Sequence, residues 1–387
     1  MRSKNLHRIG FISANAVRQS IISLFSMAIP FLVIGCCSKE IWGEFVSLLL
    51  FTLFALQIIN WGNKEYLLRQ FSLNPGKMRW LYSQILWTRF PSVLAFTVFG
   101  FVLYPAEFGF WIFLWLSGRY FNHSVEALLV YDKKFGAAIV IELLSFVGFC
   151  CSLYFLSAVF NFYLLLIIYS LYQFIKGLCY FFLFHNYVSF RELKMDFSYF
   201  KKSFPFFMLS VLGFLASKAD VYIIEQLGNK TVTADYQVIN SLLVFTMSLS
   251  AFIYAPFTKN IYRNTKEVIE KIQKRVAMAG LFLVPVALGI IHFILLLFID
   301  LKLSIFFYCV AFLYVYPCFI YGMDIIDLFR RHQEKKVVWY LLVGTLSNVV
   351  LSALGLYLNY GILGVLTGSA MAQLLVLLLL RLKSFEK

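Results

Sequence analysis

Phe110–Tyr131, FWIFLWLSGRYFNHSVEALLVY, is a mostly apolar run long enough to cross a bilayer, yet it carries Arg119, Asn122, His123 and Glu126. Counted from Arg119, the other three stand at +3, +4 and +7, offsets that share one face of an α-helix. At about 1.5 Å of rise per residue, Arg119 lies roughly 15 Å from either end, near mid-membrane. A guanidinium facing lipid there costs about 3 kcal/mol on insertion scales. The spacing therefore turns Arg119 toward a protein interior or a wet cavity, with Glu126, two turns on, as a candidate partner.

The surroundings are those of a polytopic membrane protein. The chain has 387 residues, 61% of them hydrophobic and 14% charged, with mean hydropathy +0.81, outside the range of soluble domains. The basic start MRSKNLHRIG precedes a full-length apolar segment without a small-residue cleavage site, so it reads as leading into a first membrane helix rather than as a signal peptide. The seven cysteines, Cys36, Cys37, Cys150, Cys151, Cys179, Cys309 and Cys318, are odd in number and match no metal spacing. They read as small core residues.

Hydropathy predicts twelve spans: 11–35, 42–62, 80–104, 110–131, 136–157, 161–184, 203–227, 233–258, 275–299, 303–328, 337–358 and 360–382. An even number puts both termini on one side. The connections on that side carry 26 Lys and Arg, whereas the opposite connections hold only Lys39, Lys230 and Lys302. The positive-inside rule makes the basic side, with both termini, cytoplasmic. The net charge of +15 is thereby explained by topology, without nucleic acid. Trp42, Trp61, Trp80, Trp111 and Trp339 sit near span ends, where indole rings favour the headgroup region. The 259–274 connection reads as an amphipathic surface helix, with Ile261, Val268, Ile269 and Ile272 among Lys and Arg. The connection 185–202 divides the chain into an N-terminal six-helix bundle, 1–184, and a C-terminal one, 203–387. The expected architecture is all-α, two bundles around a central cavity.

Five basic residues fall inside spans: Arg18, Arg89, Arg119, Lys176 and Lys218. Arg18 belongs to a stripe with Asn15, Gln19, Ser23 and Ser26, and Lys176 to one with Tyr169, Tyr172 and Gln173. Arg18, Arg89 and Lys176 lie close enough to the cytoplasmic end that snorkelling competes with a cavity role. Lys218 and Asp220 point about 200° apart at 100° per residue, so Lys218 faces Glu225 rather than Asp220. The intramembrane acids are Glu126, Glu142, Asp220, Asp324 and Asp327, with Glu225 and Asp235 nearer the outer ends. Glu142 and His123 are the best proton-carrying candidates, since burial raises a carboxyl pKa and His titrates near neutrality. Asp324 and Asp327 also read as an interfacial pair meeting Arg330 and Arg331. Tyr169, Tyr172, Tyr308, Tyr314, Tyr316 and Tyr321 pack helices or line a passage. No Walker, HExxH or GxSxG signature is present, so neither a nucleotide cofactor nor a catalytic metal is expected.

Three stretches resemble the multidrug/oligosaccharidyl-lipid/polysaccharide (MOP) exporter superfamily, and within it the Wzx-type O-antigen or capsular polysaccharide flippases. The first is Asn15 and Arg18, then Trp42-Gly43-Glu44-Phe45, then Gly62 through Arg69. The second is Phe204-Pro205, KADVYIIEQLGNKTVTADYQV (Lys218–Val238) and Ala255-Pro256. The third is Asn348 followed by YGILGVLTGSAMAQ (Tyr360–Gln373). The Cys36-Cys37-Ser38-Lys39 turn departs from the Gly-rich turn more usual there. The resemblance implies a flippase of the bacterial inner membrane, without cofactor. Its cargo would be an undecaprenyl-diphosphate-linked oligosaccharide, moved to the periplasmic leaflet by alternating access, and other polysaccharide-assembly membrane proteins would be its partners. It places the diphosphate-holding role on Arg18, Arg89, Arg119, Lys176 and Lys218. Proton or ion coupling falls to His123, Glu126, Glu142, Asp220 or Asp324. A cation-coupled multidrug exporter of the same superfamily is disfavoured by basic residues in both halves. A polysaccharide polymerase or ligase, which is an enzyme, is disfavoured by the short outer connections.

Overall fold

The computed structural model describes residues 2–189, 195–254, 266–331 and 333–382. Its helices are α1 (Arg2–Cys36), α2 (Lys39–Asn60), α3 (Asn63–Leu73), α4 (Met78–Leu103), α5 (Gly109–Ser124), α6 (Glu126–Asp132), α7 (Phe135–Leu156), α8 (Phe162–Leu183), α9 (Ser198–Leu227), α10 (Lys230–Tyr254), α11 (Lys266–Ile299), α12 (Ile305–Arg330), α13 (Glu334–Tyr357) and α14 (Gly361–Leu382). Among the described residues ten helices are long and apolar enough to span a membrane. The other two expected spans are α10, polar in its first half, and the α5–α6 pair. The chain is an all-α membrane protein of about twelve spans.

Caps place the turns. Ser38 accepts a hydrogen bond from Ile41 N at 3.2 Å and starts α2, and Asn161 Oδ1 accepts one from Leu164 N at 2.8 Å and starts α8. Each satisfies one of the orphan donors of a helix start. Ser38 thus makes the turn after Cys37 without glycine.

The deciding stretch is not one helix. Val125 (φ −85°, ψ −6°) interrupts the run between α5 and α6. No Pro or Gly marks the break. Side-chain bonds flank it on both sides: Ser124 Oγ accepts from Arg89 Nη2 at 2.9 Å, and Glu126 Oε2 meets Lys64 Nζ at 2.8 Å.

The chain divides into two compact units, Met1–Val211 and Leu212–Lys387, with the boundary inside α9. In the first, α5 packs on α8, α4 and α2, and α7 packs on α1 and α8. Its core is aromatic: Phe45 stacks on Trp115 (centroids 5.4 Å apart), Trp115 meets Tyr169 edge-on (4.6 Å) and Phe149 packs on Tyr172 (5.1 Å). Tyr169 and Tyr172 therefore serve packing. In the second unit α13 and α14 form a tight hairpin, α14 lies on α12, and α12 on α11 and α10. Within the hairpin, Gly355 and Gly364 touch backbone to backbone.

Several expectations change. Trp42 is buried beside Phe45, and Trp61 Nε1 donates to Phe200 O at 2.9 Å. These two rings are bundle residues, while Trp80 and Trp339 are exposed. None of the seven cysteines is fully buried, and Cys151, Cys179 and Cys309 face outward. An outer face bathed in lipid is as apolar as a core, so a thiol gains nothing by choosing the interior. Residues 266–274 are the first turns of α11, continuous with its membrane-length run. Ile269 packs on Met323 and Ile326 with Ile272 alongside. Residues 259–265 of the expected surface helix, and Ala255-Pro256, lie outside the described residues.

Candidate functional site

In the first unit, α5 and α8 come close enough that a Cβ on Gly118 would lie 2.3 Å from Gln173 O, and one on Gly177 2.1 Å from Gly118 O. Small residues at such crossings let helix backbones touch. The seam sets Arg119, next to Gly118, across from Lys176, next to Gly177. Arg119, Lys176 and His123 are within electrostatic range of one another.

Their partners differ. Lys176 is buried and paired: Nζ lies 3.2 Å from Glu142 Oε2 and donates to Tyr172 OH at 3.4 Å. Tyr180 OH donates to Glu142 Oε1 at 2.9 Å. Glu142 is therefore engaged by Lys176 and Tyr180 rather than held in reserve as a lone carboxyl. Glu126 does not pair with Arg119. It is held by Lys64 at 2.8 Å, with Arg18 Nη2 at 3.9 Å and His123 Nδ1 at 3.9 Å. Glu126, just past Val125, meets Lys64 of α3 and Arg18 of α1 as well as His123 of its own stripe. Among the described residues Arg119 has no ion pair or hydrogen bond, and its Nε is buried without a partner. Buried and partnerless too are Ser117 Oγ and Asn122 Oδ1 on α5, Ser170 Oγ and Gln173 Oε1 on α8, and Asn15 Oδ1 on α1. Buried polar atoms normally find partners. These atoms lie on α1, α5 and α8, the helices that carry Arg18, Arg119 and Lys176, and they leave hydrogen bonds for a polar guest.

Arg18, Arg89 and Lys176 do not snorkel: they are 1%, 0% and 4% exposed. Arg89 sits apart from this cluster. It donates to Ile59 O (3.3 Å), Asn60 O (3.5 Å) and Ser124 Oγ (2.9 Å) and covers the Tyr120 ring at 5.2 Å. Two of those acceptors are the last carbonyls of α2, the negative end of its dipole. Arg89 thus braces α2 and α5 through these hydrogen bonds. Lys64 was missed. It lies within the Gly62–Arg69 stretch, but 63–79 reads as a connection, and its bond to a residue 62 positions away leaves no periodic trace.

The second unit holds a separate polar core. Asp220, fully buried, accepts hydrogen bonds from Tyr236 OH (2.6 Å), Ser369 Oγ (3.2 Å) and Asn240 Nδ2 (3.3 Å). Ser369 Oγ also donates to Asn348 Oδ1 at 3.0 Å, and Ser352 Oγ to the same oxygen at 2.8 Å. Lys218 Nζ donates to Asn240 Oδ1 at 2.6 Å, so Lys218 and Asp220 meet at one residue after all. A long flexible stem overrides the 200° between their Cβ directions, and Asn240 supplies an acceptor to one and a donor to the other. Glu225 pairs instead with Lys230 at 3.8 Å. Asp324 lies elsewhere, near the end of α12, with Arg381 Nε at 3.8 Å, and Asp327 pairs with Arg331. The side chain of Arg330 lies outside the described residues. Among the described residues no group of three or more metal-ligating His, Cys, Asp or Glu occurs.

No protein-family profile and no curated protein sequence matches the chain. Solved structures do. One is the inward-facing conformation of a multidrug resistance MATE family transporter of the MOP superfamily, at 12% identity and TM-score 0.63 over 93% of each chain. Another is the MATE multidrug transporter DinF-BH, at 13% identity and TM-score 0.64 over 98% of this chain and 95% of that one. A third is the lipid II flippase MurJ in an inward closed conformation, at 15% identity and TM-score 0.50 over 100% and 88%. These neighbours are transporters and a flippase. The chain shares the fold of these solved transporters.

Proposed function

We propose that the chain is a flippase of the bacterial inner membrane, with both termini cytoplasmic. It would carry an undecaprenyl-diphosphate-linked oligosaccharide of O-antigen or capsule type from the cytoplasmic to the periplasmic leaflet by alternating access. The bundles 1–184 and 203–387 would be the two halves of the carrier. The observation that carries this reading is the unpaired Arg119, set by the α5–α8 seam beside Lys176, with Arg18 and Lys64 on the Glu126 side of the cluster. A guanidinium grips phosphate oxygens bidentately, and a cation without an internal anion gains most from an arriving one. Lys218, on Asn240, would extend the basic character to the second unit. The test is a strain lacking the protein, assayed for surface glycan and for inner-leaflet lipid-linked units. Loss of glycan with single repeat units accumulating on the cytoplasmic face is the expected result. Repeat units that reach the periplasm but stay unpolymerised would favour the enzyme reading.

Asp220 favours a second reading, a cation-coupled multidrug exporter. It is a buried carboxylate surrounded by Tyr236, Asn240 and Ser369, and among the described residues no cationic side chain lies within 4 Å of it. Within the flippase reading the same group is the best placed for proton or ion coupling, ahead of Glu142 and Glu126, which already hold cations, and of Asp324, which lies near Arg381. Asp220→Asn is expected to remove the dependence of transport on an ion gradient, leaving slow equilibration. Vesicle transport with and without an imposed proton or sodium gradient checks this. A variant that still responds fully to the gradient moves coupling elsewhere. Altered drug sensitivity with normal surface glycan in the deletion strain would select the exporter.

A further inference from the structure

The second unit has a pocket of about 610 Å³ where the first turns of α11 meet the ends of α12 and α14. Its lining is of two kinds. Toward the helix ends stand Lys274, Arg331 and Arg381 beside Glu270, Asp324 and Asp327, three charges of each sign. Toward mid-membrane the wall is Ala277, Met278, Leu281, Tyr316 and Ile320, with Met278 and Leu281 open to the outer face. The pocket is thus open sideways to where lipid lies and polar at the membrane boundary. Asp324 Oδ2 in it is buried without a hydrogen bond, with Arg381 Nε 3.8 Å away.

We propose that this pocket binds an aminophospholipid headgroup. The phosphodiester would lie against Arg381 and Arg331, the primary ammonium would donate to Asp324, and one acyl chain would lie along Met278 and Leu281. The balanced lining decides the ligand class. A purely anionic headgroup would meet three carboxylates, whereas a zwitterion matches both signs. An unspent carboxylate oxygen calls for a hydrogen-bond donor. A primary ammonium has three donors and a quaternary one none, so phosphatidylethanolamine is favoured over phosphatidylcholine. The site is distinct from the Arg119 cluster and from the Asp220 core.

The test uses the full chain in nanodiscs of phosphatidylethanolamine, phosphatidylcholine or phosphatidylglycerol. Bound lipid is counted by native mass spectrometry and stability by thermal unfolding. A charge-assisted hydrogen bond predicts a preference for phosphatidylethanolamine over phosphatidylcholine on the order of tenfold, with a higher Tm in the first lipid. Asp324→Asn is expected to remove the preference. Met278→Trp, which closes the lipid side without touching a charge, is expected to reduce occupancy by all three lipids. Equal binding of the three lipids by the unaltered chain overturns the proposal, as does a preference that survives Asp324→Asn. A preference that appears only after removal of residues 383–387 also overturns it, since the tail would then be the occupant.

Discussion

On the proposed function, Arg119→Ala is expected to abolish export of lipid-linked oligosaccharide at normal expression, and Arg119→Lys to retain part of it. Truncating one member of a desolvated, hydrogen-bonded charge pair costs about 2–5 kcal/mol, a factor of roughly thirty to several thousand in affinity for the anion. Lysine keeps the charge but gives up the planar fork, so its loss is smaller. The companion expectation concerns stability. Among the described residues Arg119 has no ion pair or hydrogen bond, and it lies within range of the like charge on Lys176. Its removal therefore leaves no carboxylate stranded and relieves repulsion. The variant should unfold at the same temperature as the parent or higher, while transporting nothing. Arg89→Ala is the contrast. It strips Ile59 O, Asn60 O and Ser124 of a donor and should lower Tm. Normal export by Arg119→Ala would remove Arg119 from the cargo path. A fall in Tm comparable to that of Arg89→Ala would make Arg119 a structural residue.

Gly177→Leu is expected to prevent the first unit from assembling. A Cβ there would lie 2.1 Å from the carbonyl oxygen of Gly118, and the reciprocal Cβ on Gly118 would meet Gln173 O at 2.3 Å. No rotamer relieves a clash with backbone, so α5 and α8 must separate along their length. Ordinary overpacking costs about 1–3 kcal/mol, and here the whole helix pair moves, so the effect lies at or above that upper end. Gly148→Leu on α7 is the control, because nothing stands within 4 Å of its Cβ position. Folded yield in detergent and resistance to limited proteolysis would separate the two. Wild-type behaviour of Gly177→Leu would show that the seam is looser than drawn.

Hydropathy alone located the membrane helices to within a few residues at most ends, because lipid obliges every span to be long, apolar and internally hydrogen-bonded. The early starts of α9 at Ser198 and α11 at Lys266 escaped, since a helix that leaves the membrane turns polar without ending. The break at Val125 escaped because no Pro or Gly marks it, and the side chains that flank it, Arg89 and Lys64, come from helices far off in sequence. Arg119, Lys176 and Asp220 stood out as charges in apolar runs. Their partners did not: Asn240, Asn348 and Ser369 are ordinary polar residues until folding gathers them around one carboxylate, and Gly118 and Gly177 carry no chemistry that composition registers. Periodicity reports which face a residue occupies. Who stands opposite depends on contacts across more than fifty positions, as with Gly118 and Gly177.

Glu126 also bears on turnover. With Lys64 at 2.8 Å and Arg18 at 3.9 Å, it acts as a resident competitor for those two cations. On the proposed function, a visiting diphosphate must displace an anion that never leaves, so Lys64 and Arg18 hold it less tightly than bare cations would. Departure is helped by the same competition, because Glu126 recaptures the cations as the cargo lets go. A carrier profits from such moderation, since a site that bound diphosphate with full strength would be a trap.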